Sequence, residues 1–243
     1  LLGSRESTPP LPPQCPPVLI RTSPPPIAVN AATSETVTRI GPIRYPSADR
    51  VLGRCLEVDG EWLEDEVEVC ARALEAGDTV VEVGAGIGLH ALTLCKQFAV
   101  NAFEPEPRLL EAMLWNIAQH NRGTLKVHEG DGTDIDALAL GRLHLIKVSI
   151  DHLVLRVLEG AQASIHRHRP CLYLRSQSAG PEAGLMERLQ ELNYRVWRHQ
   201  LPLHRVANFK GNSIDPFPGV GVCNLICVPA GRQAVMQGLA RLL

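Results

Sequence analysis

The sequence lacks a long apolar run and an excess of basic charge, and both absences narrow the classes of protein to consider. No window approaches the roughly 18 uninterrupted apolar residues that a membrane-spanning helix needs, and the N-terminus has no basic segment followed by an apolar one. The formal net charge is −2, and the one dense basic cluster, residues 166–169, is typical of a helix C-terminus. We therefore expect a cytoplasmic protein with no membrane partner and no nucleic-acid partner.

The sequence also lacks the cysteine spacing of a metal site or a disulfide framework. It contains no Cys-x-x-Cys pair, and its seven cysteines are scattered at Cys15, Cys55, Cys70, Cys95, Cys171, Cys223 and Cys227. Several of them fall within apolar helical or strand-like patterns. These features predict buried free thiols and no metal ion.

Proline is concentrated at the start of the chain, where nine of the 19 prolines lie within the first thirty residues. Few large apolar residues separate them, so this segment has little to bury and cannot build a regular ladder. We expect residues 1–36 to be a Pro-rich linker or disordered tail, which would connect the rest of the chain to an upstream domain.

From Thr79 onward, unbroken apolar strands alternate with helical patterns, which predicts a parallel sheet covered on both faces. The last two predicted strands have no helix between them and should pair antiparallel. The fold class is therefore α/β and Rossmann-like, with a seven-stranded, mainly parallel sheet and an antiparallel last strand. Residues 37–78 should form an N-terminal strap and helix, residues 79–232 the core, and residues 233–243 a C-terminal tail.

The segment Thr79–Ala91 carries the strongest functional signal. Its apolar strand ends in Glu82, and three glycines alternate at Gly84, Gly86 and Gly88 before a helical pattern begins. Such a turn has no side chains where a ligand must approach. A second strand ends about twenty residues later in Glu104, a position suited to accept both ribose hydroxyls. Together these features predict a nucleoside crevice, with S-adenosyl-L-methionine as the leading ligand.

A dinucleotide is the alternative ligand, because the segment from Gly86 to Ala91 also satisfies the GxGxxG/A pattern. Glu82 favours S-adenosylmethionine, since a carboxylate can receive an ammonium but would repel a pyrophosphate. Asp131 follows the third strand, where it is placed either to bind an adenine amino group or simply to form a turn. Glu104 likewise has a structural alternative, as part of the start of the next helix.

At these residues the chain resembles the FkbM-type S-adenosylmethionine-dependent methyltransferases, over roughly residues 41–229. The shared motifs, in order, are residues 50–57, 60–61, 80–88, 102–105, 145–147, 157–161, 169–170, 208–212 and 224–229. The resemblance implies a class I methyltransferase that methylates oxygen, typically a hydroxyl on a sugar, glycan or polyketide-like acceptor. Carried over by position, the cofactor-binding residues are Glu82, Gly84, Ala85, Gly86, Gly88, Glu104 and Asp131.

The chain departs from the family where three acids surround the active cleft. Ser149, Asp151 and Val154 stand at those positions, and Arg175 replaces a further acid after the fifth strand. We expect Arg175 to neutralise Asp151 across the cleft. These losses favour, as an alternative function, a catalytically degenerate domain that binds S-adenosylmethionine or acts as a scaffold.

Three residues remain as catalytic candidates. Lys147 matches the family's lysine at the end of a buried strand and is expected either to orient an acceptor hydroxyl or to pair with a neighbouring acid. His152 and Asp151 could supply a base, because imidazole titrates near neutrality, or else face solvent at a helix start.

Overall fold

The computed structural model describes residues 18–20, 32–120, 125–176, 184–234, 236 and 238–243. Within these residues the strands are β1 (Val18–Ile20), β2 (Thr33–Thr38), β3 (Gly41–Pro46), β4 (Thr79–Val83), β5 (Ala99–Glu104), β6 (Leu125–Glu129), β7 (Leu145–Val148), β8 (Cys171–Arg175), β9 (Tyr194–Pro202) and β10 (Gly221–Pro229). The α-helices are α1 (Arg50–Val58), α2 (Glu64–Arg72), α3 (Leu89–Leu94), α4 (Pro107–His120), α5 (Val154–Gly160), α6 (Gln162–His168) and α7 (Leu185–Glu191). Two short 3-10 helices span Ile135–Leu138 and Asp151–Leu153.

The main sheet has the strand order β1-β6-β5-β4-β7-β8-β10-β9. Strand β10 is antiparallel to both of its neighbours, and the strands from β1 to β8 in this order pair in parallel. The predicted sheet of seven strands with an antiparallel last strand is confirmed by β4 to β10. Strand β1 adds an eighth strand at the β6 edge, inside the segment expected to be a linker or disordered.

The central strand β4 shows why the sequence builds this sheet. Val80 packs into the core on the face covered by α3 and α4, whereas Val81 and Val83 pack into the core on the opposite face. Side chains of a strand alternate between faces, so a strand with valines on both faces can bury them only when helices cover both sides. The loop that leaves β4 consequently lies at the middle of the sheet.

The N-terminal segment forms a hairpin and two helices rather than a simple strap. Strands β2 and β3 pair antiparallel, so the expected boundary at residue 36 falls inside β2. Asp49 caps α1 by accepting the N–H of Leu52, a helix that the sequence analysis missed. Asn116, fully buried on α4, bonds to both backbone groups of Arg44 and to the carbonyl of Ile87. One amide thereby joins the hairpin to the central loop.

The segment expected to be a C-terminal tail is part of the fold. The N–H of Arg198 donates to the carbonyl of Ala240 at 2.9 Å, and the N–H of Leu242 donates to the carbonyl of Val196 at 2.7 Å. These bonds cover the outer edge of β9, whose unpaired backbone groups would otherwise face solvent. The tail is held because an edge strand has hydrogen bonds to offer it.

The segment that connects β7 to β8 contains two helices, α5 and α6, separated at Ala161. Gly160 lies against the carbonyl of Thr133, and a Cβ at this position would come within 1.9 Å of that oxygen. Close contact between α5 and the 3-10 helix region therefore requires glycine where the first helix ends. The basic cluster forms the last turn of α6, as its pattern predicted.

The expectations about membrane helices, cysteines and the Pro-rich segment can be compared with the described residues only. No described helix is long and apolar enough to cross a membrane. The described cysteines are free thiols, and Cys15 lies outside the described residues. The Pro-rich segment, residues 1–36, also lies outside them except for residues 18–20 and 32–36.

Candidate cofactor and acceptor site

A cavity of about 860 Å³ opens at the carboxyl ends of the central strands. Because β4 is flanked by β5 and β7, the loops after these three strands meet at one edge of the sheet. Predicted residues that line the cavity are Glu82, Gly84, Ala85, Gly86, Glu104, Asp131 and His152. The N-terminal segment contributes Asp49 and Trp62, and the β9–β10 region contributes Leu203 and Val222.

The glycine loop is held in place by its own backbone. The N–H groups of Gly84 and Ala85 both donate to the carbonyl of Phe103, at 2.9 and 3.0 Å. The N–H of Gly86 donates to Glu104 Oε2 at 2.6 Å. These bonds tie the loop after β4 to the end of β5 and so join the two halves of the predicted nucleoside site.

Each glycine of this loop is required for a different structural reason. A Cβ at Gly86, whose φ is +60°, would meet nothing within 4 Å, so this position opens toward the cavity and allows a ligand to approach the backbone. A Cβ at Gly84 would lie 2.5 Å from Ile150, and one at Gly88 would lie 2.8 Å from Met113. Gly88 is not among the cavity residues, so its position is explained by packing against α4 rather than by direct ligand contact.

Glu104 is a buried carboxyl that lines the cavity. Its Oε1 accepts the N–H of Glu106 at 2.9 Å, which is the helix-start role that the sequence offered as an alternative. Burial raises its pKa to about 7, although the two backbone N–H donors act in the opposite direction. The carboxyl therefore changes its protonation state near neutral pH.

Asp131 has the turn role that the sequence offered, and it also lines the cavity, where its adenine-binding role stays a prediction. Its Oδ1 accepts the hydroxyl of Thr133 at 2.7 Å and the N–H of the same residue at 3.2 Å, which closes a turn. Its Oδ2 lies 3.4 Å from Arg156 Nη2. The Thr133 hydrogen bond lowers the pKa of Asp131, so this carboxylate is ionised at the edge of the cavity.

Beneath the cavity lies a buried charge network that the sequence analysis did not anticipate as a unit. Lys147 Nζ lies 3.0 Å from Glu82 Oε1 and 3.4 Å from Glu66 Oε2, and it donates to Ser149 Oγ at 2.6 Å. Arg175 Nη2 lies 3.0 Å from Glu66 Oε1. Strands β4, β7 and β8 and helix α2 thus contribute two acids and two bases to one interior cluster.

The charges of this network sustain one another. Burial opposes ionisation of Glu82 and Glu66, but the Lys147 ammonium, together with His90 and, for Glu66, Arg175, outweighs it and holds the pKa of both carboxyls below the usual range. Burial also opposes the Lys147 charge, and the two carboxylates reverse that effect and raise its pKa. Lys147 is therefore a protonated structural ammonium, and it cannot accept a proton at neutral pH.

This arrangement changes the expected partner of Arg175, and it shows Lys147 in the second of its two expected roles, paired with neighbouring acids. Arg175 pairs with Glu66 and not with Asp151, because α2 places an acid directly against the end of β8. Lys147 is 1% exposed and is not a cavity residue, so it supports the cavity from below rather than contacting an acceptor. His152 is exposed and lines the cavity, whereas Asp151 does not line it.

Glu66 and Asn224 are functional-site residues that sequence reasoning passed over. Asn224 Nδ2 donates to Glu66 Oε1 at 3.1 Å, so β10 also supports the network. A signal for Glu66 was present: it occupies the apolar stripe of α2 together with Leu63, Val67 and Cys70, at spacings of three and four residues. An acid on the buried stripe of a helix requires a buried cationic partner.

Two orphaned polar groups border the cavity. Glu82 Oε2 has no hydrogen-bond partner among the described residues, and the same holds for Arg175 Nε and Nη1. Both side chains line the cavity and are nine-tenths or more buried. The open position at Gly86, the acid Glu104 and the orphaned Glu82 oxygen fit a ligand that has a ribose and an ammonium group.

The strand order separates this site from a dinucleotide site. A dinucleotide fold has the order 3-2-1-4-5-6, in which the sixth strand follows the fifth directly. Here the antiparallel β10 lies between β8 and β9. The chain therefore has a glycine loop like that of a dinucleotide-binding protein, but its sheet does not have the strand order of a dinucleotide-binding fold.

Comparisons with known proteins agree with this distinction. No protein-family model matches the chain, and no curated protein sequence matches it. Among solved structures, Sp1610 of Streptococcus pneumoniae, assigned as a tRNA (m1A22) methyltransferase, has a TM-score of 0.51 and 16% identity, covering 71% of this chain and 72% of that one. An rRNA methylase of Streptococcus thermophilus has a TM-score of 0.50 and 12% identity, covering 68% and 94% of the two chains.

A third structure contains a ligand. SMU.1697c of Streptococcus mutans, assigned as a methyltransferase, was solved in complex with SAH; its TM-score is 0.51 and its identity 12%, covering 68% of this chain and 97% of that one. The fold is that of class I methyltransferases.

The expectation of a small-molecule or glycan acceptor and no nucleic acid is wrong. The exclusion of nucleic acid relied on a net charge of −2 and a single basic cluster, and the small-molecule or glycan acceptor relied on the family resemblance. Proteins of this fold include the tRNA and rRNA methylases named above. Net charge describes the whole surface, whereas an acceptor meets only the surface around the cavity, so the charge excludes no acceptor class.

Proposed function

We propose that this protein is an S-adenosylmethionine-dependent methyltransferase that transfers the methyl group to an oxygen atom. The observation that carries the proposal is the convergence of the open Gly86 position, the buried Glu104 carboxyl and the orphaned Glu82 oxygen on one cavity at the centre of the sheet. Each of these groups has a counterpart in the ligand: backbone approach, ribose hydroxyls and ammonium.

The cofactor, when bound, supplies an activated methyl group on a sulfonium. The residues of this chain then have to orient the acceptor and exclude water. Trp62, Leu203 and Val222 contribute apolar surface to the cavity wall, and the Lys147 network fixes the floor. Most of the rate is expected to come from this positioning, because the methyl donor is already reactive.

Ser149 and Arg175 border one end of the cavity, the acceptor end, and their polar groups favour oxygen as the methylated atom. Ser149 Oγ accepts a hydrogen bond from Lys147, so its own O–H is free to donate, and Arg175 offers only N–H donors. Both residues line the cavity. An oxygen can accept from these donors, whereas an amino group would bring further N–H groups against them.

We extend the proposal to the family that the sequence resembles, the FkbM-type methyltransferases. Residues in its shared motifs lie at the cavity or in the network below it, as Glu82, Glu104, Lys147 and Asn224 do. The departures at Ser149 and Arg175 lie in the same place. The proposal therefore includes an acceptor unlike that of members with acids at these positions.

A catalytically degenerate domain is the second candidate function. The observation in its favour is that Lys147 is wholly engaged in ion pairs, and that Glu66 and Glu82 are held ionised by cations. Such a domain would bind the cofactor without turnover.

Calorimetric titration with S-adenosylhomocysteine and with NAD tests the cofactor proposal. We expect micromolar or tighter binding of S-adenosylhomocysteine and none of NAD; the reverse result would overturn the proposal.

Gly86→Ala should abolish binding, since its methyl group projects into the ligand space. Gly77→Ala is the matched control, because Gly77 also has a positive φ and an open Cβ position but precedes β4 at the opposite end of the sheet. Transfer of a labelled methyl group from the cofactor would then eliminate the degenerate alternative.

A further inference from the structure

The end of the cavity that Arg175 and Ser149 border has unmet hydrogen-bond donors, and these donors restrict the acceptor. Arg175 is 5% exposed, lines the cavity, and has one carboxylate partner through Nη2. Its Nε and Nη1, which together carry three N–H groups, have no partner in the described part of the chain. A buried guanidinium with unmet donors is costly unless an acceptor arrives to meet them.

Ser149 reinforces the same preference. It follows β7 directly, one strand away from Arg175 at the end of β8, so both side chains border the cavity from adjacent strands. Because Lys147 donates to Ser149 Oγ at 2.6 Å, the serine proton is directed to another acceptor. The two residues together can surround an oxyanion with O–H and N–H donors.

The carboxylates nearest to these donors are not available as bases. Glu66 pairs with Arg175 and Lys147 and accepts a hydrogen bond from Asn224; burial raises its pKa, but these partners outweigh burial and leave the pKa lowered. Glu82 is ionised beside Lys147, and its orphaned Oε2 is suited to the cofactor's ammonium. A neutral hydroxyl would have to lose its proton to another group of the cavity, such as His152, whereas a carboxylate arrives already ionised.

We propose that the acceptor of this methyltransferase is a carboxylate, bound by Arg175 and Ser149, and that the product is a methyl ester. This inference rests on the proposed function. A lone pair of one carboxylate oxygen forms the new O–CH₃ bond while the C–S bond of the sulfonium breaks and its electron pair stays on sulfur. An anion and a cation thereby become a neutral ester and a neutral thioether, and no proton has to move.

The location of Arg175 agrees with an acceptor role rather than a cofactor role. Along the carboxyl edge of the sheet, β8 is three strands from β5, whose end carries Glu104. At about 4.8 Å per strand this is a separation of about 14 Å. The ribose site and the carboxylate site are thus at opposite ends of one cavity, with the glycine loop between them.

The first test measures binding without turnover, with the protein saturated by S-adenosylhomocysteine. Benzoate is the probe and benzamide, which has the same shape without the charge, is its control. We expect benzoate to bind and benzamide to bind at least tenfold more weakly. Arg175→Gln should weaken benzoate by about 10- to 100-fold, as expected for loss of hydrogen bonds to a charged group.

Two further variants distinguish a loss of benzoate binding from a failure to fold. Arg175→Lys keeps a positive charge beside Glu66 and removes most of the free donors, so it should fold and bind benzoate with intermediate affinity. Arg167→Gln is the matched control, because Arg167 is exposed in the last turn of α6, which leads into the amino end of β8. Equal binding of benzoate by wild type and both Arg175 variants would overturn the proposal.

The second test identifies the product bond. Cell extract is incubated with the protein and methyl-labelled cofactor, and the labelled product is treated with mild alkali, which releases methanol from methyl esters but leaves ethers and N-methyl groups intact. We expect the label to become volatile. Its recovery in the small-molecule filtrate or in the protein fraction identifies the source of the carboxylate.

The failures of the two proposals are distinguishable. Alkali-stable label in any fraction, RNA included, would overturn the carboxylate acceptor and leave the methyltransferase proposal in place. S-adenosylhomocysteine binding with neither volatile label nor benzoate preference would do the same. Absence of S-adenosylhomocysteine binding would overturn the proposed function itself.

Discussion

Glu104 shows how one buried carboxyl couples ligand binding to pH. Its pKa is raised to about 7, and the ordinary value is 4.5. Ribose hydroxyls donate hydrogen bonds that favour the ionised carboxylate, so binding should release a proton wherever Glu104 is protonated in the free protein.

We therefore expect the affinity for S-adenosylhomocysteine to increase as the pH rises through about 7, by up to about tenfold per pH unit on the acid side. Calorimetry in buffers of different ionisation enthalpy measures the released proton directly. Glu104→Gln should bind about 10- to 100-fold more weakly and with no proton release in this range. The same pH dependence in the Gln variant would assign it to another group.

A second prediction concerns stability rather than ligand binding. Lys147 holds two buried carboxylates in their ionised form. Lys147→Met leaves Glu66 and Glu82 without this cation, which should lower the free energy of unfolding by about 3–5 kcal/mol at pH 7. The two carboxyls of the variant should then have raised pKa values. Their penalty is relieved by protonation, so the difference from wild type should shrink as the pH falls toward 5.

Urea denaturation at pH 7 and pH 5 measures both parts of this prediction. Lys126→Met serves as control, because Lys126 is exposed on β6 and its loss should change stability by less than about 0.5 kcal/mol. A Lys147 variant as stable as wild type at pH 7 would show that the network contributes nothing to folding.

At the scale of elements, the segment between β9 and β10 depends on contacts with the N-terminal helices. Asp59, at the end of α1, bonds to His204 at 3.2 Å and to the side-chain amide of Asn212 at 2.8 Å. Arg205 contacts Glu61 at 2.9 Å, and it also contacts Asp65 and Glu68. Leu203 and Val220 from this segment line the cavity, so these contacts set the shape of the acceptor end.

Asp59→Ala should therefore loosen residues 203–220 and increase their rate of cleavage in limited proteolysis severalfold. Asp65→Ala is the matched control, since Arg205 retains two other carboxylates when Asp65 is lost. Mass spectrometry of the fragments locates the cut. Equal cleavage of the two variants would mean that the Asp59 contacts do not hold the segment.

The position of an element could be predicted from the sequence where a single local pattern determines it. The apolar runs of β4, β5 and β7 and the glycine loop were found because burial on both faces and a tight turn each impose a local requirement. Helix α1 was missed, because its neighbouring Gly-Pro and Tyr-Pro pairs indicated turns and its single apolar face is short. Strand β1 was missed because only its pairing with β6 makes three residues a strand.

At the scale of the whole molecule, the C-terminal segment closes one edge of the sheet. Besides its bonds to Arg198 and Val196, it packs Leu242 and Leu243 against one core and Leu239 against the other. Its removal should expose both the β9 edge and these apolar contacts.

A variant that ends at residue 232 should consequently show a lower melting temperature and form dimers or larger species. Size-exclusion chromatography with light scattering and thermal denaturation measure these effects. Arg241→Ala is the control, because it removes a side chain from the same segment and retains the backbone bonds. A monomeric truncated protein with an unchanged melting temperature would show that the segment is not needed to cover the edge.

The sequence by itself determined the layered α/β fold, the glycine loop and the acid at Glu104, because each follows from local periodicity and backbone conformation. Only the tertiary structure decided which charges meet. Arg175 was expected to face Asp151, but packing of α2 against the sheet brings Glu66 to it instead. Partners separated by more than a hundred residues leave no local pattern, so the donor-rich acceptor end emerged only from the folded arrangement of β7, β8 and α2.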